Sequence, residues 1–287
     1  MKKLRLFRPF TLLLLISFSI TPSRVPSQQT VKPRAIISDD FTKSRPTSKT
    51  RRKSGSRNSR TYRPPSATQE VSLNGKLQLG LTLWKLKPSR NTRYGSAQHI
   101  REQWEAQRVE ADTPFREGDL LRLSIESPRD GYLYVINRDW FADTGSGETN
   151  LIFPKRGEDN RLRAGRLIDI PAENQLPFRA NPKPNQAGEF LTIIVSSAPI
   201  PLPFYEETLP ISNAQLTEWE ERWGGLTERH EMVGGAGQAR TVKERQAAAI
   251  KGARQLTRDD PSPQTIFLLT PKNNDGLLFN LMLFYAR

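Results

Sequence analysis

The sequence contains no cysteine and only two histidines, His99 and His230. Without thiols no disulfide can staple the fold, so its stability must come from apolar burial. There is also no cysteine to acylate, which excludes a lipoprotein anchor. Two distant imidazoles are a poor basis for zinc, which takes three or four N, S or O ligands. The G-x-S-x-G elbow and the S-x-x-K and H-E-x-x-H motifs are missing as well. A near-miss to a phosphate loop occurs at 234–241, where Ala239 and Arg240 replace the last glycine and the lysine. Asp139, Asp143 and Glu148 lack the D-x-D-x-D-G spacing that wraps calcium in an EF-hand. Glu126, Asp130 and Asp139 lie near expected turns, and spacing alone does not bring them together. We therefore expect no enzyme, no cofactor, no metal and no catalytic residue.

Long hydrophobic runs are lacking too. The apolar stretch Phe10 to Ile20 has eleven residues, against the ~20 needed to span a bilayer as a helix. It follows Lys2, Lys3, Arg5 and Arg8 and precedes a polar stretch containing Val25-Pro26-Ser27. That is the build of a secretory signal peptide with a small-residue cleavage site. Residues 1–27 are expected to direct export, to the periplasm or beyond.

Charge is unevenly placed. The formal charge is +14, but residues 69–287 hold 28 basic and 28 acidic residues. Residues 31–68 carry eleven basic residues against Asp39 and Asp40. The segment 28–68, rich in Ser, Arg and Pro, reads as a disordered linker, because it offers little apolar surface to offset the entropy of ordering. Its densest run supplies Arg51, Arg52, Lys53, Arg57 and Arg60 as candidate contacts for polyanions. Behind a signal peptide these would be anionic lipid, lipopolysaccharide or cell-wall polymer. A plain solvated spacer and a nucleic-acid arm are the other readings.

Residues 69–287 read as one β-rich domain. Leu77, Leu79, Leu81 and Leu83 alternate with Gln78, Gly80 and Thr82, as in a half-buried strand. Leu121, Leu123 and Ile125 alternate in the same way. Ser127 to Gly131 then supplies turn chemistry, and Tyr132 to Ile136 follows, so this stretch is expected to form a central hairpin. Further strands are expected at 151–153, 166–170, 190–195, 266–269 and 277–285, with an ordinary hairpin loop at 137–150 and a short helix around 100–107. Two helices interrupt this pattern. One is capped by Ser212 and carries Trp219 and Trp223 on a packing face; the other is capped by Thr241 and runs to about Arg254.

The blocks Gly118–Asp139, Leu151–Arg156, Ala164–Pro171 and Gly188–Pro199 resemble, in order and spacing, a bacterial family known as domain of unknown function 4384. Leu81–Leu86 and Leu256–Leu269 resemble flanking blocks of its secreted members. The resemblance implies a β-rich fold and brings no established reaction or ligand. Strands without βαβ alternation lead us to expect an antiparallel β-sandwich of immunoglobulin-like character, with two short helices inserted late. The expected function is that of an exported, non-catalytic binding or assembly module of the cell envelope, with a protein or glycan partner. A nucleic-acid binder and a hydrolase are the alternatives.

Overall fold

Leu77, Leu79, Leu81 and Leu83 point from one strand into a single apolar layer, and the fold is built around that layer. The computed structural model describes residues 34–47, 75–88, 104–203, 209–249 and 254–286. The expected signal segment and the run Arg51, Arg52, Lys53, Arg57 and Arg60 lie outside these residues. Among the described residues the first element is helix α1 (Arg34–Lys43), then strands β1 (Leu77–Pro88), β2 (Trp104–Val109), β3 (Leu120–Glu126), β4 (Gly131–Phe141) and β5 (Gly145–Phe153). Next come β6 (Arg161–Leu162), β7 (Leu167–Ile170), β8 (Phe178–Arg179), β9 (Gln186–Ser196) and β10 (Leu209–Pro210). Helix α2 (Asn213–Trp223), β11 (Gly225–Glu231), α3 (Val242–Ala248), β12 (Thr265–Pro271) and β13 (Gly276–Phe284) complete it.

Two sheets face each other. The first has the order β11-β12-β1-β3-β7, with β2 beside β1 and β8 beside β3. The second runs β10-β5-β4-β9-β13, with β6 beside β4. All these pairings are antiparallel. The inner layer takes alternate residues from both sheets, including Leu123 and Ile125 of β3, Leu133 and Val135 of β4, and Phe279 and Leu281 of β13. Phe267 and Phe279 stack across it with ring centroids 4.2 Å apart. Each large side chain buried there is worth about 1.5–3 kcal/mol. The expected antiparallel sandwich is thus the observed fold.

The outer faces are covered as well, which explains why β1 and β3 are buried on both sides. Helix α2 lays Leu216, Trp219 and Trp223 on Tyr134, Ile194 and Leu278 of the second sheet, so the tryptophan pair is packing. Helix α3 seats Ala247 beside Leu167 of the first sheet. Helix α1 presses Ile37 and Phe41, one turn apart, onto Ile266 and Leu268. Gly80 allows this approach, because a Cβ there would stand 2.8 Å from Phe41 and 2.3 Å from Pro263.

Several expectations need correction. The turn at 127–130 does not close a hairpin: β3 pairs with β1 and β7, β4 with β5 and β9, and the chain crosses between sheets. The supposed loop 137–150 is mostly strand, since β4 runs to Phe141 and β5 starts at Gly145. The described part of the expected 100–107 helix is strand β2. Within the expected disordered linker, residues 34–43 are helical, because tertiary docking of Ile37 and Phe41 outweighs poor local propensity. Helix α3 keeps its full capping box but stops at Ala248 instead of near Arg254.

Candidate functional site

Along β4 the inward-facing residues run Leu133, Val135, Asn137 and Asp139, and along β9 they run Val195, Ile193, Leu191 and Glu189. The inter-sheet layer therefore changes from apolar to polar at one end. There it opens into a cavity of about 140 Å³. Leu121 and Leu123 of β3 form one wall, and Ile152, Leu191 and Leu283 of the second sheet form the other. Phe115, Phe178 and Ala180 close the sides, with Arg179 at the rim. Phe115 is held in place by two backbone hydrogen bonds, its N–H to Phe284 O and its carbonyl from the Ala286 N–H, both 2.8 Å.

The polar groups converge on Glu189. Asn137 Nδ2 donates to Glu189 Oε2 at 2.8 Å, and the Tyr285 hydroxyl donates to Glu189 Oε1. Burial, reinforced by the Glu189 carboxylate, raises the Tyr285 phenol well above the usual tyrosine range, so it stays a donor. Opposite Glu189 in register, Asp139 accepts from Lys183 Nζ at 2.7 Å and from Gln186 Nε2 at 3.0 Å. The amide oxygen of Asn137 is buried and has no partner among the described residues. An unused acceptor in such a place loses its hydration without compensation, unless a ligand supplies a donor.

The mouth thus combines an apolar body with acceptors. An engineered apolar cavity of about 150 Å³ holds one benzene ring, so this one accommodates a ring or a branched aliphatic group. Enclosed apolar space with a few convergent polar groups is the usual form of a small-ligand site.

The residues weighed from sequence do not assemble elsewhere. Asp143 accepts from Asn185 at 3.2 Å, and Glu148 lies 3.7 Å from Lys183, so these acids meet amides and a lysine. Glu126 is in the first sheet, bonded to Arg45, and Asp139 is in the second. The glycine-rich stretch at 234–237 is a turn leaning on β2, with the Gly237 N–H bonded to Arg108 O at 2.9 Å; Arg240 is committed to Asp169. His230 lies on edge strand β11 beside Glu228, and His99 is outside the described residues. No helix among the described residues is long and apolar enough to cross a membrane. The mouth was not predicted from sequence, although the switch from Val135 to Asn137 and from Leu191 to Glu189 on one strand face was its visible signal.

Residues 114–199 match the family model described as "Domain of unknown function (DUF4384)". The blocks at 118–139, 151–156, 164–171 and 188–199 that resemble this family all fall inside the match. The DUF4384 match spans less than a third of the chain, from β3 to β9, and omits the blocks at 81–86 and 256–269. It supplies Asn137, Ile152, Ala180 and Glu189 to the mouth, whereas Leu283 and Tyr285 come from beyond it. Comparison with curated proteins gives no match, and comparison with solved structures gives none.

Proposed function

We propose that the chain is an exported, non-catalytic binding module of the cell envelope. Its mouth takes a ring-sized apolar group that carries a hydrogen-bond donor, such as an amine or hydroxyl. The observation behind this reading is the unpartnered Asn137 oxygen beside Glu189, at the polar end of a cavity of about 140 Å³. Export is supported by the charged start, short apolar run and cleavage pattern of residues 1–27. Contact with envelope polyanions through Arg51, Arg52, Lys53, Arg57 and Arg60 is supported by composition alone.

The test titrates the full-length protein with phenol, benzylamine and toluene, followed by NMR. Phenol and benzylamine should bind saturably and perturb residues around the mouth, with toluene weaker. Ala180→Leu, which fills the cavity, should abolish binding while the protein still melts cooperatively. No binding by the wild type, or equal binding by a folded Ala180→Leu variant, overturns the reading.

A further inference from the structure

On the outer face of the first sheet, three guanidinium groups surround Trp84. Arg108 and Arg240 lie 5.3 and 5.5 Å from its ring centroid, and Arg122 stands opposite it in register on β3. Two of the three have carboxylate partners: Arg108 meets Glu244, and Arg240 meets Asp169 at 2.8 Å. Asp169 is further fixed by the Ser124 hydroxyl at 2.6 Å, which itself accepts from Trp84 Nε1 at 2.8 Å.

Arg122 differs. It is only 7% exposed, yet it forms no ion pair among the described residues. Among the described residues its single hydrogen bond runs from Nη2 to Gln175 O at 3.2 Å, and its buried Nε has no partner there. An arginine carries five N–H donors. Elsewhere in the fold Arg45 makes five hydrogen bonds, so this protein does satisfy a structural arginine. A buried, unpaired cation is costly. Arg122 lines a cavity of about 200 Å³, together with Arg240, Arg245 and Trp104; Glu105 and Glu173 also line it.

We propose that this cavity binds a small oxyanion, a phosphate or carboxylate group, through the Arg122 guanidinium donors that Gln175 does not take up. The planar guanidinium presents paired N–H groups at the spacing of two oxyanion oxygens. Arg240, held by Asp169, and the exposed Arg245 add positive charge to the same walls. Glu105 and Glu173 limit the charge that enters, which favours one small oxyanion over an extended polyanion. Burial pulls the Arg122 guanidinium below its ordinary value; Asp169 opposes this and Arg240 adds to it. A bound anion would relieve that burden. The site is separate from the mouth and shares none of its lining residues.

The test is thermal melting of the full-length protein with inorganic phosphate or acetate, at constant ionic strength set with sodium chloride. The wild type should melt at a higher temperature as one or both anions are added, with a saturable dependence. A response to phosphate alone assigns a phosphate group, and a response to acetate alone assigns a carboxylate. Arg122→Met, which keeps the stem and drops the charge, should fold and show no response. Arg122→Lys keeps the charge without the fork and should bind about tenfold or more weakly, the equivalent of a charge-assisted hydrogen bond. It also supplies the comparison if Arg122→Met does not fold. No response of the wild type to either anion, or an undiminished response in a folded variant, overturns the proposal.

Discussion

Arg45 and Glu126, 81 residues apart in sequence, form a bidentate pair with both side chains essentially sealed from solvent, at 0% and 2% exposure. Nε and Nη2 of Arg45 each donate to one carboxylate oxygen at 2.7 Å. The remaining donors reach the carbonyls of Thr257, Asp260 and Pro261. The pair fixes the segment after α1 to β3 and to the loop before β12. Removing one member of such a buried pair leaves the other uncompensated.

Arg45→Met should therefore cost about 3–5 kcal/mol in urea denaturation. It should also speed hydrogen exchange in α1. The double variant Arg45→Met, Glu126→Leu should lose much less than the sum of the two single losses, because no orphan charge remains. Lys43→Ala, which breaks only the exposed pair with Asp40, should stay within about 0.5 kcal/mol of the wild type. Equal losses for Arg45→Met and Lys43→Ala would show the buried pair to be dispensable.

The basic run can be tested without disturbing this lock. Replacing Arg51, Arg52, Lys53, Arg57 and Arg60 by glutamine should leave the melting temperature unchanged. Retention of the wild type on anionic vesicles should weaken between 0.1 and 1 M salt, as the screening length falls from about 10 to 3 Å. The substituted protein should elute early at both. Equal retention of the two proteins would assign the attraction to the folded body. Starting the chain at Thr68 would be a poor test, since it removes α1 and Arg45 with the tail.

Tyr285 gives a pH-dependent prediction. Its folded pKa is raised above the unfolded value of about 10. The stabilisation it brings is thus fully present below pH ~10 and is lost as pH rises beyond that towards the folded value. Tyr285→Phe should leave the tyrosinate absorbance step near pH ~10 undiminished and should soften the alkaline loss of stability. A step smaller by one tyrosine's share would place Tyr285 among ordinary, accessible tyrosines.

Much of the sandwich was legible because alternation survives burial. Leu77 to Leu83 and Leu277 to Leu283 present the same face every second residue, and the structure places both sets in the inner layer. What alternation does not encode is partnership. Ser127 to Gly131 has the chemistry of a turn whether its flanking strands pair or part, and here they part. Strand β11, GLTERHE, is a mostly polar edge strand, so its composition resembled a loop. Helix α1 carried Ile37 and Phe41 as its docking residues, diluted within a basic, polar segment. The polar end of the mouth was written in Asn137 and Glu189, but their meeting requires β4 and β9 to be neighbours, and they are 52 residues apart.

The seat of α1 sets an order of assembly. Arg45 finds its last acceptor in Pro261, 216 residues further along the chain. At a synthesis rate of about 5–20 residues per second, that partner emerges roughly 10–45 s later. Ile37 and Phe41 wait as long for Ile266 and Leu268, so α1 is made early and is among the last elements to dock. The nascent chain therefore passes through an interval in which this N-terminal segment is still accessible to other factors. Only the finished C-terminal strands withdraw it.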